Sequence, residues 1–214
     1  PNTIGGFPPT AYYLISSIAS FLSIVLPFSF FLFFGKRKLS DTVLVEKNGV
    51  LNSVLLVFAG LAVSVLMNIP ANLISQLLEG AGLNGDANTA DLLAMTPVQA
   101  LTMFVSVVLV APVTEEFAFR SVTTAVMRRW GDWPAVIFSA LIFGMAHYSI
   151  QSLPVVLMAG FVMALLYVRT RNIWVNIFVH MLNNLLATLP IALEGLVGAD
   201  AANIASNLLT YIVY

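Results

Sequence analysis

Cysteine is absent from the 214 residues, which excludes thiolate catalysis, cysteine-held metal and disulfides. Charge is scarce as well: 9% of residues are charged, against about 25% in soluble domains. What charge there is nearly cancels, at a formal net −1, so nothing in it points to nucleic acid as a partner. Internal repeats and low-complexity tracts are missing, which removes solenoids and repeat arrays. The first apolar run lacks a basic start and is too long for a cleavable signal. The chain starts at Pro1, not Met, and stops at Tyr214 inside an apolar stretch, so trimming at both ends is expected.

What is present is apolar residues, 59% of the chain at a mean hydropathy of +0.94, gathered into long runs. A span needs about 20 such residues, and the runs predict an all-α, polytopic transmembrane bundle of about six to seven spans. Residues 1–214 form one integral membrane domain in this reading. Helices are expected over Ala11–Phe34, Val50–Met67, Pro97–Met127, Trp133–Tyr148, Pro154–Val168, Asn172–Leu189 and Ala201–Tyr214. The second is expected to end near Asn68-Ile69-Pro70, because the residue before a proline disfavours helix. Ala71–Met95, acidic and carrying Gly80, Gly82 and Gly85, reads as a surface loop with a short amphipathic helix. Pro97 suits a first turn, and Pro112 is expected to kink the third helix.

The loops set an orientation. Lys36, Arg37, Lys38 and Lys47 follow the first span, Arg128 and Arg129 the third, Arg169 and Arg171 the fifth. The alternate loops carry Glu79, Asp86, Asp91, Glu194 and Asp200 without a Lys or Arg. By the positive-inside rule the basic loops are cytoplasmic and the N-terminus starts outside. Trp130, Trp133 and Trp174 beside the basic residues read as interfacial anchors.

One basic residue breaks the pattern. Arg120 lies with Glu115 and Glu116 inside an apolar stretch, where each charge costs about 2.5–3.5 kcal/mol on insertion scales. Glu116 and Arg120 are four apart and can pair on one helix face. Glu115 is turned about 100° away and faces a different neighbour, which makes it the unpaired carboxylate where chemistry is expected. The two histidines also fall within spans: His147 closes Phe143-Gly144-Met145-Ala146-His147, and His180 shares a stripe with Asn176 and Asn184. Counted from the cytoplasmic boundary, Glu115 and Asn184 lie about 18–20 Å deep, His147 about 20 Å and His180 about 12 Å. Three helices can therefore bring polar groups to one level, facing the bundle interior or a wet cavity.

Each residue alone has a plainer role. Glu116–Arg120 can be a buried ion pair, either histidine an interhelical hydrogen-bonding group, Asn176 and Asn183 packing residues. Phe119 and Phe143 are expected in the core or lining the site, within reach of substrate. Together, the ionisable groups of the span interiors fall in three segments, and that concentration argues for a functional site. A carboxylate in an apolar wall can be tuned into a general base, taking a proton from water that His147 helps to hold. His180 and Asn184 can donate to the oxyanion of a tetrahedral intermediate. Ser121 and Ser149 have no base-plus-orienter pattern that would make either a nucleophile. Glu115, His147 and His180 can alternatively hold zinc with an open position, although no H-E-x-x-H occurs.

These three segments together resemble the CPBP (Abi) family of intramembrane proteases, the CAAX-processing and bacteriocin-processing enzymes that include type II CAAX prenyl endopeptidases. The family pattern E-E-x-x-x-R matches Glu115-Glu116-Phe117-Ala118-Phe119-Arg120, F-x-x-x-H matches Phe143 to His147, and H-x-x-x-N/D matches His180 to Asn184. The matched core covers about residues 98–189. The resemblance implies an all-helical endopeptidase whose site opens toward membrane and cytoplasm. It implies Glu115 as base with His147 positioning water, His180 and Asn184 as the oxyanion site, and Glu116 with Arg120 in support. Ser121 stands where many relatives place glycine, so local packing is expected to differ. No cofactor is expected, with zinc the alternative. The implied partners are membrane lipids and a membrane-associated substrate: a prenylated CAAX protein, a leader or pheromone peptide, or a bacteriocin precursor. Two other classes compete, a non-catalytic immunity or scaffold protein and a proton-coupled transporter, though the repeat symmetry usual in transporters is not seen.

Overall fold

The computed structural model describes residues 6–83, 96–147, 149–150, 152–197 and 204. The apolar runs fold as helices: α1 over residues 9–34, α2 Val50–Gly80, α3 over residues 97–130, α4 Asp132–Met145, α5 Leu153–Thr170 and α6 Ile173–Val197. Stretches within α1, α2, α3 and α5 are long and apolar enough to cross a membrane, while α4 and α6 supply shorter apolar segments. Among the described residues there is no strand; Val45 and Asn172 form an isolated antiparallel bridge. The protein is thus an all-α membrane bundle, as its apolar runs predict. The expected helix over Ala201–Tyr214 lies, but for Ile204, outside the described residues, as does 84–95 of the acidic loop.

The end of α2 corrects the sequence reading. The helix does not stop near Pro70 but runs through it to Gly80, so Ala71–Gly80 continues α2 and is not a separate short helix within a surface loop. A membrane helix tolerates an internal proline because neighbouring groups make up for the missing N–H. Termination comes from glycine instead. Gly82 sits at φ +82°, Leu83 N donates to Leu78 O at 3.0 Å, and Gly82 N donates to Glu79 O at 2.9 Å. That pair of bonds is a Schellman ending.

α3 begins on a reciprocal cap: Gln99 N donates to Thr96 Oγ1 and Thr96 N to Gln99 Oε1, with Pro97 in the first turn. Its interior widens twice into π-helix, over Val105–Val110 and Glu116–Thr123, on either side of Ala111–Glu115. Pro112 therefore sits between two wide turns. Widening frees carbonyls, and these find partners: Thr123 Oγ1 donates to Ala118 O, while Ser139 Oγ on α4 donates to Phe119 O at 2.8 Å.

The core gathers Val57, Ala118, Phe119, Phe143, Met163, Val175 and Val179 from five helices. Close approach makes this possible. A Cβ on Gly160 would stand 2.9 Å from Phe143 Cδ1, and one on Gly60 2.9 Å from Leu166 Cδ2, the small-residue contact common between membrane helices. Outside this core, Phe33, Phe34, Leu51, Phe58, Leu66, Leu77 and Phe178 are exposed, as lipid-facing residues are.

At one end of the bundle, residues 42–48 form a strap across the α5–α6 turn. Tyr167 Oη accepts from Leu44 N and donates to Thr42 O. Asn172 Nδ2 donates to Glu46 O, Asn48 Nδ2 to Thr170 O, and Ile173 N to Leu44 O. Arg171, in the left-handed region at φ +50°, closes the strap by pairing with Glu46 at 2.6 Å. Arg37, Arg128 and Arg171 border one cleft here, so the loops after α1, α3 and α5 meet at the same end.

Candidate active site

α3 presents its charges at the second π turn, where the helix meets α6. Glu116 and Arg120 are wholly buried, with Arg120 Nη1 3.3 Å from Glu116 Oε1. The i, i+4 pair read from the sequence is present. Glu116 also receives two donors from α6: His180 Nδ1 at 2.9 Å on Oε1 and Asn176 Nδ2 at 3.3 Å on Oε2. Because an ionised carboxylate only accepts, His180 carries its hydrogen on Nδ1, and Nε2 is the ring nitrogen left over.

Nε2 faces the other glutamate. Glu115 Oε2 lies 3.7 Å from it, with 16% of the Glu115 side chain exposed against 5% of His180. The sequence reading had Glu115 looking at a neighbour of its own, without a partner. Instead one imidazole stands between adjacent carboxylates and addresses each with a different nitrogen. The separation of 3.7 Å is too long for a direct hydrogen bond, so the partly exposed carboxylate keeps its capacity to accept from water or substrate.

Phe143 forms the floor. Its ring is edge-on to both imidazoles, 4.8 Å from His147 and 5.6 Å from His180 between centroids, and 5.5 Å from Phe119. Arg120 Cζ lies 4.1 Å from the centroid of the same ring, a cation–π contact that helps keep a guanidinium in an apolar interior. Phe119 and Phe143 are both buried. They pack beneath the polar groups as part of the core, one of the two placements expected for them.

His147 and Asn184 stand at the margin. His147 is exposed and its Nδ1 lies 2.8 Å from Phe143 O of its own helix, which leaves Nε2 outward. Asn184 Nδ2 donates to Val107 O in the first π turn at 2.8 Å, with a second N–H still to give. Glu115, Glu116, Arg120, Asn176 and His180 are therefore in direct register, while His147 joins them through the Phe143 ring. Zinc fits this arrangement poorly. Among the described residues no three His, Asp or Glu side chains converge to hold an ion, because Glu116 occupies His180 Nδ1 and His147 belongs to a separate edge of Phe143.

An apolar groove lies elsewhere. A groove of about 660 Å³ runs between α2 and α6, bordered by Val54, Val57, Phe58, Val175, Phe178 and Leu182. On a helix of 100° per residue, Val175, Phe178 and Leu182 face away from Asn176, His180 and Asn184, so this groove sits on the far flank of α6 from the glutamates.

The result is a helical membrane bundle that holds paired glutamates, a buried arginine and an imidazole between the two carboxylates. Over residues 97–186, from α3 into α6, the chain matches the family described as "Type II CAAX prenyl endopeptidase Rce1-like". Among curated proteins it is similar to "Putative membrane peptidase YdiL" of Bacillus subtilis (strain 168), 31% identical over 140 residues, which is 65% of this chain and 57% of the relative. The chain thus spans little more than half the length of that relative. No solved structure matches it significantly.

Proposed function

We propose that the protein is a multi-pass membrane endopeptidase that hydrolyses a peptide bond with water activated by Glu115. The observation that carries this reading is His180 held between two adjacent glutamates, Nδ1 at 2.9 Å from Glu116 and Nε2 at 3.7 Å from Glu115. Glu115 takes a proton from water, and the hydroxide formed attacks the scissile carbonyl carbon. His180 keeps its Nδ1–H on Glu116; a proton taken up from solvent at Nε2 lets that nitrogen donate to the oxyanion, and Asn184 adds its free N–H. On collapse, the proton held by Glu115 passes to the departing amine. His147 Nε2 helps to hold the water. Glu116 and Arg120 orient the imidazole and touch no substrate.

The basic end shared by the loops after α1, α3 and α5 is cytoplasmic in this reading, and the site is reached from membrane and cytoplasm. The substrate is a membrane-associated peptide or a lipidated protein of CAAX type, as the family name suggests. No metal takes part in the proposed step, so a chelator leaves the purified protein's cleavage unchanged. The deciding experiment compares protein termini in cells carrying wild type or Glu115→Gln. Uncut C-termini or leaders accumulate in the variant, and the purified variant folds but cleaves none of them. Cleavage retained by Glu115→Gln rejects the mechanism.

A further inference from the structure

Asn176 belongs to none of the three motifs, and the sequence gives it no more than a packing role. Its surroundings are unusual for such a residue. It is wholly buried, and Nδ2 donates to two acceptors at once, Glu116 Oε2 at 3.3 Å and the backbone carbonyl of Met163 at 2.6 Å. Turning the amide over would place Oδ1 against a carboxylate and a carbonyl, both acceptors, so chemistry fixes which end is nitrogen. Met163 lies in α5, and its carbonyl ties the amide to a helix backbone.

The consequence falls on Glu116. Its Oε1 is shared by His180 Nδ1 at 2.9 Å and Arg120 Nη1 at 3.3 Å, and Oε2 is held by Asn176. The last torsion of a glutamate is soft, and a guanidinium binds a carboxylate best through two parallel bonds. Among the described residues the Arg120 nitrogens meet no protein acceptor at hydrogen-bond geometry. A carboxylate free to turn is therefore drawn into the arginine fork and away from the imidazole. We propose that Asn176 is a positioning residue: by holding Oε2 of Glu116 it keeps Oε1 on His180, fixes the imidazole proton on Nδ1, and leaves Nε2 facing Glu115 and the substrate.

The link from this tautomer to turnover rests on the hydrolase reading above, but the tautomer itself does not. With two histidines in the chain, both rings are readable by nitrogen NMR of histidine-labelled protein in lipid nanodiscs, and His147→Asn assigns them. Wild type is expected to show His180 protonated at Nδ1. In Asn176→Ala and in Asn176→Leu, which keeps the branched shape and suits an apolar interior, a second form with bare Nδ1 appears. Cleavage of the wild-type substrate falls about tenfold, the size typical of supporting-shell changes, in kcat and not in KM. If either variant folds and keeps the Nδ1-protonated form alone, Asn176 merely packs α6 on α5 and the proposal is overturned. A wild type that cleaves nothing counts against the hydrolase reading only, because the ring-nitrogen spectra need no substrate.

Discussion

Two groups of polar side chains hold this bundle, about 12 Å apart along α6 by helical rise from Asn172 to His180. The buried part of the strap around Tyr167 uses neutral side chains and backbone groups, and its hydroxyl, amides and carbonyls answer one another, with the Arg171–Glu46 ion pair exposed at its edge. The cluster around Glu116 uses full charges at zero exposure, and its guanidinium has more donors than Glu116 has lone pairs to offer. A matched neutral network stabilises the fold where it sits. A crowded charged one costs free energy to bury, and what it yields is one imidazole held in a chosen orientation beside a partly exposed carboxylate. The comparison teaches that the shallower group is built for assembly, while the deeper one, in the proposed reading, serves reactivity.

Four substitutions can break or sharpen that contrast. Glu115→Gln has the largest effect on cleavage, a loss of about 10²–10⁴-fold as expected for removing a general base, with an unchanged thermal midpoint. An equal loss of stability would erase the distinction between the two groups. Arg120→Met leaves Glu116 charged and under-compensated in the interior, and breaking such a pair costs about 3–5 kcal/mol, readable by denaturant unfolding in micelles. Tyr167→Phe removes the donor to Thr42 O and the acceptor of Leu44 N, a cost of about 1–3 kcal/mol for buried groups left unmatched. Activity per folded molecule is retained there. Glu46→Gln is the smallest change: the pair with Arg171 is solvent-exposed on both sides and contributes under about 1 kcal/mol. That loss shrinks further at high salt, while the Glu46 carbonyl still accepts from Asn172.

Much of this was legible in the chain. Apolar runs locate the helices, and the spacing of Asn176, His180 and Asn184 puts them on one stripe, because a 3.6-residue period needs no tertiary information. The Glu116–Arg120 pair follows from the same rule. Other features depend on neighbours. Whether α2 stops at Pro70 is decided by its surroundings, since a missing N–H ends a helix in water more readily than in a bundle. The wide turns of α3 have no sequence signature, yet they help decide which acidic residue meets which imidazole nitrogen. For that reason Glu115 reads as solitary in sequence and proves to be adjacent to His180. The strap was equally hidden, because Leu44, Glu46 and Asn48 acquire partners only when the distant Tyr167–Ile173 segment arrives.

A turn that closes five residues on contains one residue more than the turn it replaces, and this gives α3 an adjustable phase. Rewinding 105–110 as ordinary helix with every residue kept would swing everything beyond it by about 100° about the helix axis. Glu115 would then take the outlook of Glu116 while every loop kept its length. A change of winding in one turn is thus enough to re-aim this span, a far shorter route to altered chemistry than rebuilding the helices that surround it.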